Sequence, residues 1–285
     1  MATVRLTMSQ ALTRWMTAQS IEQLDGGIEP AFAGVWAIFG HGNVAGLGEA
    51  LYGVRDAMPT FRGHNEQSMA HIAIAYAKQK QRRRMMAVTT SIGPGATNLA
   101  TAAALAHVNR LPVLLLPGDV FATRAPDPVL QQVESFADGT VSANDCLRPI
   151  SRYFDQITRP EQLLQALPKA MSVLTDPADC GPVTLGLCQD VQAEAWDYPE
   201  SFFAPRIWHM RRIAPDAAEL ARAVEMLKAA RRPRIIAGGG VRYAGASAAL
   251  TAFAETAGFP VAATQAGKSS LVESHPMYVG SLGVT

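Results

Sequence analysis

Apolar residues recur along this chain at two periods that take turns. Behind Thr7-Met8-Ser9-Gln10, which fits a capping box, Leu12, Trp15 and Met16 form a stripe at helical spacing. That predicts a first helix, followed by an acidic, Gly-containing loop over 22–30. Residues 34–39 are then apolar without alternation, as in a strand buried on both faces of a parallel sheet. The pattern goes on to predict a helix near 45–52, a strand at 60–62 and a helix that opens at Glu66. Met69, Ile72, Ala73 and Tyr76 give that helix its apolar face. Next come a strand over 85–90, a helix over 96–107 and a strand over 112–116. After the long connection 118–144, with a short helix expected near 128–135, follow a strand at 151–157, a helix at 160–174 and a strand at 182–187.

Strands and helices alternating at these lengths predict an α/β fold with a doubly wound, parallel, six-stranded sheet over 1–191. Long ordered loops in compact domains are usually functional, so 118–144 is expected beside the site. Residues 192–214 change character. Trp196, Tyr198, Phe202, Phe203 and Trp208 crowd a stretch with no clear period, which reads as a linker packed on the first domain. A second Rossmann-like α/β unit begins at Pro215, a favoured first helical residue, and Leu220, Val224 and Leu227 mark its first helix. With about seventy residues, 215–285 is at the small end for a domain and is expected to be incomplete, the chain being part of a longer protein.

Composition narrows the partners. The chain has 285 residues, 48% hydrophobic, and a formal net charge of +1, which points to neither nucleic acid nor an anionic membrane surface. No apolar run approaches the length of a membrane span. Cys146, Cys180 and Cys188 lack metal-ligand spacing and read as reduced thiols, so a cytoplasmic location is expected.

Two stretches carry candidate chemistry. Glu66 stands in the first turn of its helix, just after a short strand. A carboxylate there can simply favour the positive end of the helix dipole, or it can meet a ligand, because ligands collect outside the carboxyl ends of strands in such sheets. Gly93 and Gly95 sit in the loop after the 85–90 strand, where glycine permits a tight turn. That loop is either plain close packing or a bare backbone surface for a flat ligand. The pair, at two strand ends, is more specific than either alone.

Gly63-His64-Asn65-Glu66-Gln67, Gly93-Pro94-Gly95-Ala96-Thr97-Asn98, Gly181-Pro182-Val183 and Gly238-Gly239-Gly240 together resemble the thiamine-diphosphate enzymes, in their acetolactate-synthase-like branch. The resemblance covers essentially the whole chain. Two segments, 39–48 around His41-Gly42-Asn43 and 117–134 from Pro117-Gly118-Asp119 to Glu134, resemble a subfamily of that branch. Its members open a cyclic 1,2-dione by hydrolysis, giving 5-deoxy-glucuronate in inositol catabolism.

The resemblance implies thiamine diphosphate as cofactor, with Glu66 hydrogen-bonded to N1′ of its aminopyrimidine, a role that calls for a sheltered carboxyl. It places Ser91, Pro94 and Asn98 along that ring and Gly40, His41 and Gly42 on its other side. His41 stands in the site turn itself and is the candidate second catalytic group. Asp119, Arg124 and Gln131 are candidates for substrate contact. His64 and His71 are weaker ones, and His71 reads as packing or surface. The resemblance also assigns the diphosphate and Mg²⁺ to a C-terminal domain whose Gly-Asp-Gly…Asn motif this chain lacks. No metal ligand is therefore expected here, and little or no turnover by this chain alone. It places the active site between two subunits, which implies a homodimer or homotetramer. Two alternatives follow from the same resemblance. One is a carboligase of 2-oxo acids that carries FAD, permitted by the Gly238-Gly239-Gly240 turn. The other is an inactive truncated chain.

Overall fold

The computed structural model describes residues 2–283. The chain divides into two compact units, Met1–Met210 and Arg211–Thr285. The first is built on a six-stranded sheet. From one edge to the other its strands are Thr60–Arg62, Phe32–Ala37, Met85–Thr90, Val113–Asp119, Pro182–Cys188 and Tyr153–Ile157, and every neighbouring pair is parallel. Three of the four inner strands, Met85–Thr90, Val113–Asp119 and Pro182–Cys188, are buried at every residue, while all of Thr60–Arg62 is exposed. Burial on both faces is why these strands are mostly apolar without alternation.

The strand order sets the position of the site. From Phe32–Ala37 the chain moves outward to the edge strand Thr60–Arg62, and then returns to pair Met85–Thr90 on the opposite side. The order therefore reverses between Phe32–Ala37 and Met85–Thr90. A doubly wound sheet opens a crevice outside the carboxyl ends of its strands at such a point.

Side-chain caps set several helix starts. Thr7 and Gln10 form a reciprocal capping box at the Met8–Thr17 helix. Asn65 caps the Glu66–Gln79 helix by accepting the Ser68 amide at 2.9 Å. Elsewhere the structure departs from the pattern. The expected helix at 45–52 begins as a π-turn, Val44–Gly48, before Glu49–Gly53. The helix expected over 96–107 is broken into Pro94–Thr97 and Ala100–Asn109, with Asn98 at the break. Residues 128–135 form turns instead of a helix. Leu130 and Val133 there are exposed, so no apolar stripe is buried to hold helical turns together.

The stretch 192–214 is not a plain linker. Ala195–Pro199 pairs antiparallel with Thr3–Thr7, a strand the pattern did not reveal. Arg206–Trp208 pairs with Gln19–Glu22, which in turn pairs with Ile28–Pro30 inside the expected acidic loop. Tyr198 is fully buried and donates to the Pro160 carbonyl at 2.9 Å, and Trp208 donates to Gln19 Oε1 at 2.9 Å. These strands are short, and all but the neighbouring Gln19–Glu22 and Ile28–Pro30 pair have partners far away in sequence, so no local period marks them.

The second unit has a three-stranded parallel sheet of Ile235–Ala237, Val261–Thr264 and Tyr278–Leu282. Asp216, not Pro215, sets the start of the Ala217–Ala229 helix by accepting the amides of Ala218 and Glu219. Leu220, Val224 and Leu227 are exposed on it. The core is small, formed by Ala237, Ala254, Val261 and Leu271. Gly239 opens the short helix Gly239–Tyr243, and a Cβ on it would meet the Tyr243 ring at 3.0 Å and Ala266 at 3.2 Å. Close packing thus accounts for a glycine there. Among the described residues no helix is long and apolar enough to cross a membrane.

Candidate functional site

The crevice at the reversal point is a real cleft of about 390 Å³. Gly40, Glu66, Ser91, Pro94, Gly95 and Asn98 line it. Ile38 and Phe39 line it too, as does Gln131 from the long 118–144 loop. The elements expected to meet here therefore do meet, at the ends of three adjacent strands.

Glu66 is half-buried at the first position of its helix. Asn98 Nδ2 donates to Glu66 Oε2 at 2.8 Å. The break between Pro94–Thr97 and Ala100–Asn109 is what points Asn98 at that carboxylate. The other oxygen, Oε1, lies 3.3 Å from where a Cβ on Gly95 would stand. Any side chain at Gly95 would press on the carboxylate from the cleft side. Gly93 is held at φ +59°, a left-handed value, and a Cβ there would overlap the carbonyl of Gln131. Ser91, nearly buried, donates to Gln131 Oε1 at 3.3 Å. The Gly93–Gly95 turn is thus bare where the loop crosses it and bare again where Glu66 faces it.

The Gly40–Gly42 turn rests on residues that sequence reasoning did not single out. Asn43, 1% exposed, accepts the Gly40 amide at 2.9 Å and donates to Thr89 Oγ1 at 3.0 Å, which ties the turn to the neighbouring strand. A Cβ on Gly40 would collide with the Ser91 hydroxyl, and one on Gly42 would stand 2.6 Å from Ile92 Cγ2. Gln192 Nε2 donates to the Gly42 carbonyl at 2.7 Å and to the Leu187 carbonyl at 3.1 Å, while its Oε1 accepts the Leu47 amide at 3.2 Å. Gln189 Nε2 donates to the His41 carbonyl at 3.0 Å. No local signal marks Gln192, because its partners in the turn lie more than a hundred residues away. Gln192→Ala removes three buried hydrogen bonds at once and is expected to destabilise the first unit by about 2–4 kcal/mol. Urea unfolding followed by near-ultraviolet circular dichroism checks this; a midpoint equal to the parent's would refute it.

The remaining candidates lie elsewhere. The backbone of His41 belongs to the turn, but the residue does not line the cleft, and its buried Nε2 has no hydrogen-bond partner among the described residues. Asp119 is buried behind the cleft in a network with Ser142 and Gln156. Arg124, at φ +55°, does not line it either. His64 is exposed, and His71 is hydrogen-bonded along its own helix to Gln67 at 3.3 Å. Among the described residues no group of three or more His, Cys, Asp or Glu side chains is placed to hold a metal ion.

The arrangement has the shape for one face of a flat heteroaromatic ring. It offers bare glycine backbone, a half-buried carboxylate with one oxygen engaged by Asn98 and the other turned to the Gly95 side, and the nearly buried Ser91 hydroxyl. A ring nitrogen facing Oε1 would complete a hydrogen bond when one proton lies between them, on the carboxyl or on the nitrogen.

Residues 33–138 match the thiamine pyrophosphate enzyme N-terminal TPP binding domain, and residues 220–285 match the thiamine pyrophosphate enzyme central domain. Over 285 residues the chain is 53% identical to the 3D-(3,5/4)-trihydroxycyclohexane-1,2-dione hydrolase of Bacillus cereus (strain AH820). It is 52% identical to the hydrolase of that name from Bacillus thuringiensis (strain Al Hakam) and 51% to that of Geobacillus thermodenitrificans (strain NG80-2). Each alignment takes in 100% of this chain but 44% of the relative, so the chain spans less than half the length of the curated relatives it matches.

Proposed function

We propose, taking as premise that this chain belongs to the thiamine pyrophosphate enzymes, that it supplies the aminopyrimidine half of a thiamine-diphosphate site. The enzyme of which it forms part hydrolyses a carbon–carbon bond in a cyclic 1,2-dione, a trihydroxycyclohexane-1,2-dione. The observation that carries this is Glu66 itself, fixed by Asn98 on one oxygen and turned toward the bare Gly95 side of the crevice with the other.

Bound thiamine diphosphate supplies a nucleophilic carbon and an electron sink for cleaving a bond next to a carbonyl. The residues of this chain have simpler tasks. Glu66 Oε1 holds and returns a proton at the ring nitrogen that faces it. Asn98 keeps the carboxylate from turning away. Gly40 and Gly95 admit the ring edge, and Ser91 and Pro94 bound it. His41 contributes its backbone to the turn, and Asn43, Gln189 and Gln192 hold that turn in place. Gln131, at the rim, is the best-placed of the earlier substrate candidates.

The diphosphate and Mg²⁺ belong, on this reading, to a further domain, and the working site forms between subunits of a homo-oligomer. Residues 211–285 are read as the first part of the central domain. The test uses the complete enzyme. Calorimetric titration with thiamine diphosphate and Mg²⁺ should show saturable binding, and the cyclic dione should be consumed with release of one carboxylate per ring opened. Binding without dione hydrolysis, but with acetolactate formed from pyruvate, would replace the hydrolase by a carboligase. Absence of binding would remove the reading altogether.

A further inference from the structure

Among the side chains that the proposed reaction leaves without a role, Asp119 is the most completely engaged. It ends the Val113–Asp119 strand and is 2% exposed. Its Oδ1 accepts the Val120 amide at 2.8 Å and the Ser142 hydroxyl at 2.8 Å, and its Oδ2 accepts Gln156 Nε2 at 2.9 Å. Val120 begins the long loop and Ser142 ends it, so a single carboxylate ties both ends together. Gly186 on the next strand leaves the room, since a Cβ there would stand 2.9 Å from Asp119 Oδ2. Ser142 then passes the restraint on by accepting the Asn144 amide at the start of the 3-10 helix Ala143–Ile150, and Asn144 Nδ2 donates to the Gly118 carbonyl at 3.0 Å.

Two more carboxylates hold the same loop. Asp190 accepts the amides of Ala122 and Thr123, at 2.9 and 3.2 Å, and Glu134 accepts the Ala143 amide at 2.6 Å. Apolar burial does little here, because Leu130, Val133 and Phe136 are 71%, 53% and 77% exposed. A segment with so few buried apolar contacts opens locally unless polar anchors hold it. Yet it must be placed accurately at Gln131. There the backbone turns to φ +64°, the carbonyl closes over Gly93, and the side chain accepts the Ser91 hydroxyl.

We propose that Asp119 is a positioning residue: it clamps both ends of the 120–141 loop and so sets the wall of the cleft that Gln131 forms. The proposal rests on the reading of that cleft as the ring site, and it reassigns Asp119 from substrate contact to support. Burial pushes the Asp119 carboxyl above its ordinary range, against the pull of its hydrogen bonds to Asn144, Ser142, Val120 and Gln156. A neutral acceptor of the same shape should therefore serve. In Asp119→Asn, Oδ1 still accepts from Val120 and Ser142, and Gln156 can turn its amide to meet the new NH₂.

The test compares Asp119→Ala, Asp119→Asn and the milder Ser142→Ala in the complete enzyme, by hydrogen exchange and steady-state kinetics. In Asp119→Ala, amide exchange across 120–143 should rise about tenfold while the Met85–Thr90 strand keeps its protection. KM should rise about tenfold with kcat reduced less than about threefold. Ser142→Ala should show a smaller rise in exchange, and carries the test if Asp119→Ala does not fold. Asp119→Asn should restore both readouts. Unchanged loop exchange in both the Ala variants would overturn the clamp. A kcat in Asp119→Asn as low as in an active-site knockout would overturn it too, because the charge itself would then be in use. Failure of the ring-site reading shows separately, as absent cofactor binding by the unmodified enzyme, and the exchange data then decide the clamp alone.

Discussion

Glu66→Gln in the complete enzyme is expected to lower kcat by a factor on the order of 10²–10⁴, the range for loss of a group that transfers a proton at the reacting centre. Little else should change. A glutamine Oε1 can still accept from Asn98 Nδ2, the one hydrogen bond that fixes this side chain. Its first-turn position in the helix, capped by Asn65, does not require the charge. Stability should therefore fall by about 1 kcal/mol or less, the worth of a weakened helix-dipole interaction. The two readouts are single-turnover kinetics and thermal unfolding of the same preparation. Near-parental turnover would sink the assignment of Glu66. A collapse of stability along with activity would mean that the carboxylate is structural. Only the split between the two supports a proton held at Oε1.

Gly93→Ala should have the second largest effect, by a different route. The residue sits at φ +59°, ψ −117°, where an L side chain is strained, and the new methyl would overlap the Gln131 carbonyl. The left-handed backbone and the forced shift of the loop together should cost about 2–4 kcal/mol of stability. Because the loop must move away from the cleft, thiamine-diphosphate affinity should weaken at least about tenfold, equivalent to about 1.4 kcal/mol. Gly139→Ala is the matched control. It lies in the same loop system, with nothing within 4 Å of the added carbon, and should leave both quantities unchanged. Denaturant midpoints and calorimetric titration decide the matter. A Gly93→Ala protein as stable and as tight-binding as the control would show that the close approach of Gln131 to Gly93 has no consequence.

The Asp119 clamp and the Glu66 site share a physical cause. Both lie at the carboxyl ends of strands of the parallel sheet, where side chains leave the core and meet loops. At that rim Asp119, Asn43 and Gln192 make buried hydrogen bonds to groups from other parts of the chain. Leaving such partners unsatisfied costs more than the bonds themselves contribute. Polar side chains there are expected to be sensitive to truncation and tolerant of isosteric exchange.

The linear order of residues was sufficient for whatever depends on neighbours in sequence. The apolar run over 34–39 announced a parallel strand, realised as Phe32–Ala37, and the alternation with helices announced the doubly wound sheet. Thr7 with Gln10 announced the first helix, and Glu66 with Gly95 was placed at strand ends that meet at one cleft. Tertiary structure alone decided the rest. The strand order put Phe32–Ala37 beside Met85–Thr90 and so opened the crevice between them. The break after Thr97 aimed Asn98 at Glu66. The aromatic stretch after Val191 became two strands and a buried edge of the first unit, because its partners are residues 3–7 and 19–22. Of the candidates for substrate contact, Gln131 was carried into the cleft and Asp119 was buried behind it. These outcomes turn on pairings between segments many residues apart. A local period cannot record them, because their free energy comes from burial and hydrogen bonds that exist only once the sheet has closed.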